Sequence, residues 1–385
     1  MKKNKVKVFL FGIASFLNDF GSDMIFPIWP IFVTSFLGAN MTVLGILDGI
    51  GDAFVSVSQG ISGYISDRTK KRKIFVWTGY LMASCARFGY AISSVWYHLI
   101  PVKIIDRGGK IRSAPRDAFI AELSTEQDRG TNFGILRAMD NLGALAGITV
   151  CIILYRSLGF RTLFIIAAIP SVIGALIIFF KIKEMQLPEK KLFKGIQLRY
   201  LTTNFRLVII LYAIFSLGFF SYSFLILFAT EFGYKTSFVP VFYLIFTAIA
   251  SIASLPFGWL ADKIGRKAVM GIAFILWALT CGLAIIAQSA VMLYAIFVLY
   301  GLHKGSVEPV QKAFVSELSP SDYKASGLGG FQMIVGLCSF PASLLAGLLW
   351  DTINPRAPFY LSLFLTMIAA LMLLFVKHEK EQPNP

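Results

Sequence analysis

The sequence is organised around the stretch from Lys103 to Leu123, which reads KIIDRGGKIRSAPRDAFIAEL. Seven of its first fifteen residues are charged, although the sequence before it, FGYAISSVWYHLIPV at 88–102, is mostly apolar and aromatic. A charged side chain near the centre of a bilayer costs roughly 2.5–3.5 kcal/mol on insertion scales, so it faces a bundle interior or a water-filled cavity. The stretch therefore predicts charged side chains inside a membrane protein that either pair with one another or line a site.

The composition of the whole chain agrees with this interpretation. Its 385 residues are 56% hydrophobic and 15% charged, with a mean hydropathy of +0.71, whereas a soluble domain carries about 25% charged residues. The net charge of +15 does not indicate nucleic-acid binding, because Lys and Arg cluster in short loops, where they orient a membrane protein. The four cysteines lie in apolar segments without the spacing of a metal site or a disulfide framework, and we expect no cofactor: Cys85, Cys151, Cys281 and Cys338.

Twelve apolar segments are long enough to span a bilayer. The predicted spans are 8–36, 42–66, 74–94, 96–121, 131–155, 160–181, 206–230, 236–261, 268–288, 290–317, 325–350 and 356–377. The Lys- and Arg-rich loops place both termini on the cytoplasmic side of the inner (plasma) membrane. A polar linker at 182–205 separates an N-terminal half, 1–181, from a C-terminal half, 206–385.

The two halves repeat each other at an offset of 195 residues. GYISDRTKKRK at 63–73 corresponds to GWLADKIGRK at 258–267, and AFIAELS at 118–124 corresponds to AFVSELS at 313–319. Two matches at one offset indicate a duplicated six-helix unit. Duplicated halves that enclose a midplane site are typical of secondary transporters.

The first copy of the loop motif resembles the G-x-x-x-D-R-x-G-R-K signature of the major facilitator superfamily, with Lys70 in place of its glycine, whereas the second copy keeps Gly265. The resemblance covers essentially the whole chain. It implies an all-α membrane protein with twelve transmembrane helices in two pseudo-symmetric halves, and a latch at the cytoplasmic helix ends. The expected gating residues, including three charges near the cytoplasmic ends of their spans, are Gly63, Asp67, Arg68, Lys71, Gly258, Asp262, Arg266, Arg116, Asp117 and Arg137.

The fifth predicted span resembles the glycine signature of the family's antiporters, because Gly134, Gly143 and Gly147 fit G-x8-G-x3-G. Ile148 stands where that signature has proline. The run 106–118 also resembles a bacterial efflux-like branch of the family. These resemblances favour export over import.

Ionisable side chains within the spans are concentrated in the N-terminal half, where seven acids accompany seven bases. Unpaired in lipid, fourteen such groups would cost on the order of 40 kcal/mol, several times the usual net stability of a protein. They must therefore pair or line water. At the repeat offset, Asp106 and Asp140 correspond to Gly301 and Val335, which cannot titrate. This asymmetry favours a functional site in the N-terminal half.

A midplane aspartate that exchanges its ion-pair partner for a proton can couple proton movement to helix packing. The expected proton-coupling residues are Asp106, Asp140, Asp19 and Asp23. The expected substrate-binding residues are Asn18, Asp48, Asp52, Arg107, Lys110, Arg112 and Glu308. If 96–121 forms one continuous helix, four charges share an arc of roughly 60°, namely Lys103, Asp106, Lys110 and Asp117.

The sequence thus predicts a monomeric secondary transporter that exports a small molecule by proton antiport with alternating access. The alternative is a proton-coupled symporter that imports an anionic solute. A third hypothesis, a membrane receptor that senses a solute, is disfavoured because the linker and tail are short. An enzyme is not expected, because we find no nucleophile–base pair and no metal-ligand cluster. There is also no Walker-type phosphate loop that would indicate ATP drive.

Overall fold

A computed structural model describes residues 2–125, 128–184, 203–318 and 324–376. By contacts, the chain divides into two compact units. The first comprises Met1–Phe193 and Ser223–Leu244, and the second comprises Lys194–Tyr222 and Ile245–Pro385. Most of the predicted linker lies outside the described residues, so the predicted boundary between the halves stays a prediction.

The described residues are helical throughout and contain no strand. In chain order the helices are α1 Lys2–Asp23, α2 Trp29–Ile31, α3 Met41–Thr69, α4 Lys73–Ile92, α5 Leu99–Gly108, α6 Ser113–Leu123, α7 Arg129–Lys181, α8 Thr203–Gly218, α9 Tyr222–Phe228, α10 Val239–Ile264, α11 Arg266–Ile286, α12 Ala290–Leu318, α13 Lys324–Thr352 and α14 Ala357–Phe375. A π-helical segment lies at Phe32–Phe36, and 3-10 turns lie at Trp96–His98, Gly109–Arg112 and Ala229–Phe232.

Eight helices of the described segments are long and apolar enough to cross a membrane. One of them, α7, is two helices in sequence, because Gly159 breaks it with φ 69° and ψ −179°. Glycine adopts positive φ without the steric cost that a Cβ imposes. The break separates the predicted spans 131–155 and 160–181, whereas the total of twelve spans stays a prediction.

Local sequence determines where α3 begins and ends. Asn40 caps its first turn, since its side-chain oxygen accepts a hydrogen bond of 2.9 Å from the backbone N–H of Val43. Lys70 ends the helix in the left-handed conformation, with φ 56°. This is the position where the family signature has glycine, and Gly265, its counterpart in the repeat, also has positive φ, at 91°.

The prediction of one continuous helix over 96–121 is wrong. α5 ends at Gly108, a 3-10 turn occupies Gly109–Arg112, and α6 begins at Ser113. The turn packs tightly on α4, because a Cβ on Gly79 would lie 2.5 Å from the carbonyl oxygen of Gly109. Since a 3-10 turn advances three residues per turn instead of 3.6, the four charges predicted to share one arc do not lie on a single helix.

Glycines of α7 allow a close approach to α1 in the first unit. A Cβ on Gly143 would lie 2.4 Å from the carbonyl oxygen of Phe16, and a Cβ on Gly147 would lie 2.2 Å from that of Phe20. Around Gly134 there is nothing within 4 Å of such a Cβ. Two of the three signature glycines therefore hold the helix that carries the N-terminal acids.

Candidate functional site

Asp48 of α3 is the acceptor at the centre of a buried polar network in the first unit. Its Oδ1 accepts hydrogen bonds from Trp29 Nε1 at 2.8 Å and from Lys103 Nζ at 3.1 Å. Its Oδ2 accepts a hydrogen bond of 2.5 Å from the hydroxyl of Ser223, which belongs to the same unit. The Lys103 ammonium also lies 3.7 Å from the centroid of the Trp29 ring, a cation–π contact. Both carboxylate oxygens of Asp48 thus accept hydrogen bonds from protein donors, and its predicted contact with substrate stays a prediction.

Arg87 of α4 is a fully buried guanidinium surrounded by neutral oxygens. NH1 donates to the carbonyl of Ala167 at 2.7 Å and to the hydroxyl of Ser171 at 2.5 Å. NH2 donates to the carbonyl of Asn18 at 3.1 Å and to the hydroxyl of Ser22 at 2.7 Å. Within the described part of the chain, no carboxylate lies within ion-pair distance of it.

Asn18, an expected substrate ligand, is bonded inside the bundle. Its Oδ1 accepts a hydrogen bond of 3.1 Å from Ser171, and its Nδ2 donates one of 2.9 Å to Asp19 Oδ1. Its side chain therefore links α1 to α7 and orients the neighbouring carboxylate.

Asp23 is the last residue of α1 and is 9% exposed. Its Oδ1 accepts a hydrogen bond of 3.3 Å from the hydroxyl of Tyr243. Over the described ranges, no Lys, Arg or His nitrogen lies within 4 Å of the Asp23 carboxylate. The charged groups that act on it from a greater distance are Asp19, Lys110 and Arg87.

Two of the other three expected proton-coupling acids are in ion pairs. Asp106 lies 3.6 Å from Arg107 Nε, and Asp140 lies 3.6 Å from Arg137 NH1. Arg116 adds a contact that the sequence did not indicate, since its NH1 lies 3.5 Å from Asp140 Oδ1.

Four more of the expected substrate-binding residues lie in environments that differ from one another. Buried Arg112 donates to the carbonyl of Gly109 at 2.7 Å and lies over the Tyr80 ring, so it stabilises the 3-10 turn. Lys110 is half-buried on that turn, and Asp52 is exposed on α3. Glu308 is also exposed and lies 4.0 Å from Lys304 one turn away.

At the helix ends that the sequence predicts to be cytoplasmic, Arg72 joins three segments of the first unit. Its NH2 lies 2.9 Å from Asp67 Oδ1 and 2.9 Å from Glu122 Oε1 of α6. The carboxylate of Glu184 accepts hydrogen bonds from the backbone N–H groups of Arg72 and Lys73, which start α4. Arg72 therefore contacts all three segments, and the predicted gating role of this cluster, the latch, stays a prediction.

The second unit has a similar Arg–Glu contact, in which the arginine is the counterpart of Lys71 and not of Arg72. Arg266 NH1 lies 2.9 Å from Glu317 Oε2, and Glu317 corresponds to Glu122 at the repeat offset. Lys267 holds the end of α14 through the carbonyls of Leu374 at 3.0 Å and Val376 at 2.7 Å.

The remaining gating candidates do not share these contacts. Arg68, Lys71 and Asp262 are exposed, Gly63 is half-buried near Ala114, and Gly258 is half-buried with nothing within 4 Å of the position that a Cβ would take. Arg116 donates to Asp117 at 3.0 Å and to Ser15. The sequence missed Arg72, Glu122 and Glu317 as latch residues, although the matching AFIAEL and AFVSEL repeats carried a signal for both acids.

A small cavity lies beside these charges in the first unit. Its lining consists of Ser22, Ile25, Phe26, Trp29, Arg87, Tyr90, Lys103 and Asp106. None of the expected substrate-binding residues lines it. Sequence reasoning missed Arg87 and Tyr90, whose neighbours are distant in the chain and include backbone carbonyls that leave no sequence signal.

His303 in the second unit is a packing residue. It is buried, its Nδ1 lies 2.8 Å from the carbonyl oxygen of Ala273, and its ring packs among those of Phe215, Phe219 and Trp277. Across the residues that the structure describes, no group of three or more His, Cys, Asp or Glu side chains is arranged to hold a metal ion.

Comparisons with known proteins agree with the helical architecture. The sequence profile of the Major Facilitator Superfamily matches residues 11–253 and 208–385. An uncharacterised MFS-type transporter of Methanocaldococcus jannaschii is 38% identical over 381 residues, covering 96% of this chain and 94% of the relative. The multi-drug resistance efflux pump PmrA of Streptococcus pneumoniae is 24% identical over 337 residues, covering 83% and 82%.

Among solved structures, a bacterial homolog of the human lysosomal transporter Spinster, in an inward-facing and occupied conformation, superposes with a TM-score of 0.79. The superposition covers 97% of this chain and 96% of the homolog, at 13% sequence identity. At that identity, the likeness shows the fold alone.

Proposed function

Because this chain belongs to the major facilitator superfamily, and is therefore a multi-pass membrane transporter and not an enzyme, we propose that it moves a small molecule by proton coupling, with Asp23 as the proton carrier. Alternating access around a site near the membrane midplane is the mechanism that we propose with it.

The surroundings of Asp23 carry this proposal. Desolvation penalises a carboxylate that is buried without a counter-ion. The position of Asp23 at the end of α1 adds to the penalty, because the C-terminal end of a helix carries partial negative charge. A proton removes both penalties, and water access restores the charged form. Asp106 and Asp140 keep Arg partners, so they are second to Asp23 as carriers.

The assignment can be tested without knowing the substrate. In the infrared difference spectrum between high and low pH, a protonated carboxylic acid gives a C=O stretch that a carboxylate lacks. We expect that band to disappear in Asp23→Asn and to persist in Asp351→Asn, which removes an exposed acid from the second unit. A band that survives unchanged in Asp23→Asn excludes Asp23 as the carrier.

Export by proton antiport is the first coupling mode that we propose, since the relative PmrA is named as a multi-drug resistance efflux pump. Proteoliposomes with an acidic lumen should then accumulate ethidium, a permanently charged cation, because antiport moves substrate against the proton flow. Asp23→Asn should abolish that accumulation.

Symport of an anionic solute is the second mode, and the absence of a carboxylate beside Arg87 in the described structure favours it. Proteoliposomes with an alkaline lumen should then accumulate benzenesulfonate, a permanent anion that does not cross lipid as a neutral acid. If neither probe responds to a pH gradient in either direction, the proton-coupling proposal fails for both modes.

A further inference from the structure

Tyr90 carries a buried hydroxyl at this cavity. Tyr90 is 2% exposed, and its hydroxyl makes no hydrogen bond of ordinary geometry, although Asp106 lies close by. Its ring packs on Trp29 at 5.0 Å, which holds the hydroxyl at the cavity wall. A protein with a buried, unbonded hydroxyl is less stable than one with phenylalanine at the same position, because the hydroxyl has lost its hydrogen bonds to water.

The charges around the same cavity do not balance. The lining cations are Arg87 and Lys103, and the lining anion Asp106 is paired with Arg107. Among the lining residues and their ion-pair partners, three bases stand against two acids, because Asp48 pairs with Lys103. The four hydrogen-bond partners of Arg87 are all neutral oxygens, and the carboxylates of Asp106, Asp19 and Asp23 act on it only from beyond ion-pair distance. A buried charge without an opposite charge costs several kcal/mol, so this wall favours an anion.

From these observations we propose that the cavity binds the anionic group of the transported molecule, a carboxylate, sulfonate or phosphate. Tyr90 donates a hydrogen bond to it, and Arg87 and Lys103 supply the positive charge. Ile25, Phe26 and Trp29 give one side of the lining an apolar surface, and Ser22 and Asp106 complete it. Calling this ligand a substrate rests on the proposed function, whereas its binding does not.

The site deepens the symport mode through its position. Ser22 lines the cavity and directly precedes Asp23 in the chain, and Arg87 is one of the charges that act on Asp23. The other groups that face Asp23 are Asp19 on α1, Lys110 on the 3-10 turn and the Tyr243 hydroxyl on α10. A bound anion offsets the Arg87 charge, so proton uptake by Asp23 becomes easier when the anion is present.

Binding to the full-length protein in detergent tests the site without any pH gradient. The probes are benzoate, its neutral isostere benzamide and the cation benzylamine, together with benzenesulfonate and inorganic phosphate as further anions. We expect at least one anion to bind, and benzamide and benzylamine to bind at least tenfold more weakly than benzoate. If no anion binds, or if benzamide matches benzoate, the proposal is overturned.

Tyr90→Phe separates a ligand donor from a packing residue. Because the unbonded hydroxyl is removed, the ligand-free variant should have a higher melting temperature than the wild type. Its affinity for the anion should fall roughly tenfold to a hundredfold, the range expected when a hydrogen bond to a charged group is lost. A tyrosine that serves only in packing would not produce this combination of a higher melting temperature and a lower affinity.

Tyr212→Phe is the matched control. Tyr212 is 1% exposed, lies in the second unit and also has a buried hydroxyl without a hydrogen bond. It should gain stability like Tyr90→Phe and keep the wild-type affinity for the anion. If Tyr90→Phe lowers the melting temperature, or raises it while the affinity stays unchanged, Tyr90 does not serve a ligand and the proposal fails. Failure of proton coupling with anion binding intact would overturn only the proposed function.

Discussion

Replacing Gly147 by alanine should separate α1 from α7 and displace the acids of α1. The added Cβ would lie 2.2 Å from the carbonyl oxygen of Phe20, whereas real Cβ contacts are longer than 3.0 Å. One helix must therefore move by about 1 Å, and overpacking of this kind typically costs about 1–3 kcal/mol. A shift of that size is also sufficient to break the 3.3 Å hydrogen bond between Tyr243 and Asp23. We therefore expect a loss of about 2–3 kcal/mol, in the upper part of that range.

Gly134→Ala is the control in the same helix. Nothing lies within 4 Å of its added Cβ, and alanine favours a helix over glycine by about 1 kcal/mol. The assay is thermal unfolding of purified variants in detergent, followed by pH-driven flux in proteoliposomes. Gly147→Ala should melt lower and transport more slowly, whereas Gly134→Ala should melt as high as the wild type or higher. A Gly147→Ala protein with wild-type stability would refute the close approach of α1 and α7.

Two further predictions concern stability. Lys103→Met removes the cation that pairs with buried Asp48, so the free energy of unfolding should fall by about 3 kcal/mol. Adding Asp48→Asn should restore most of this stability in thermal unfolding. A double variant that is no more stable than Lys103→Met alone would contradict the ion pair. Lys70→Gly should stabilise the protein by about 1 kcal/mol, because φ 56° is a strained backbone conformation for a residue with a Cβ. An unchanged or lower melting temperature would mean that the side-chain contacts of Lys70 outweigh this strain.

Much of the architecture was predictable because it depends on patterns that survive in a single sequence. Long apolar segments predict membrane helices from the thickness of the bilayer alone. The duplicated loop motif indicated the family, and the two left-handed positions at Lys70 and Gly265 agree with its glycine. Ion pairs within one turn, such as Arg137 with Asp140, follow from helical spacing.

The break in the fourth span could not be predicted in the same way. Periodicity assumes one uninterrupted helix, whereas the 3-10 turn lies where the backbones of Gly79 and Gly109 approach closely, a tertiary contact that periodicity does not contain. The charges therefore redistribute among α5, the turn and α6. Arg112 donates a hydrogen bond to the carbonyl of Gly109 within that turn, and its expected role toward substrate stays a prediction.

The cavity could not be predicted from the sequence either, for a different reason. Arg87 is surrounded by carbonyl and hydroxyl oxygens from α1 and α7, including Asn18, 69 residues away, and Ala167, 80 residues away. Backbone carbonyls exist at every position, so they leave no pattern. A search for acids opposite bases, which identified Asp106 and Asp140, finds paired charges and overlooks a cation whose partners are neutral.

The Arg–Glu contacts of the two units should differ in strength, although their acids, Glu122 and Glu317, correspond at the repeat offset. Arg72 and Glu122 have side chains 6% and 13% exposed, whereas Arg266 and Glu317 are 35% and 44% exposed. Removing one partner of a buried pair leaves an uncompensated charge and costs about 3 kcal/mol, and an exposed pair contributes less than about 1 kcal/mol.

Glu122→Gln should therefore lower the melting temperature clearly, and Glu317→Gln should change it little. The remaining contact of Arg72 with Asp67 limits the first loss, so Asp67→Asn combined with Glu122→Gln should unfold at a still lower temperature. High salt should weaken the contact of Glu317 and leave that of Glu122 largely intact, because buried pairs are screened less. Equal losses from both single variants would mean that burial does not determine the strength of the latch.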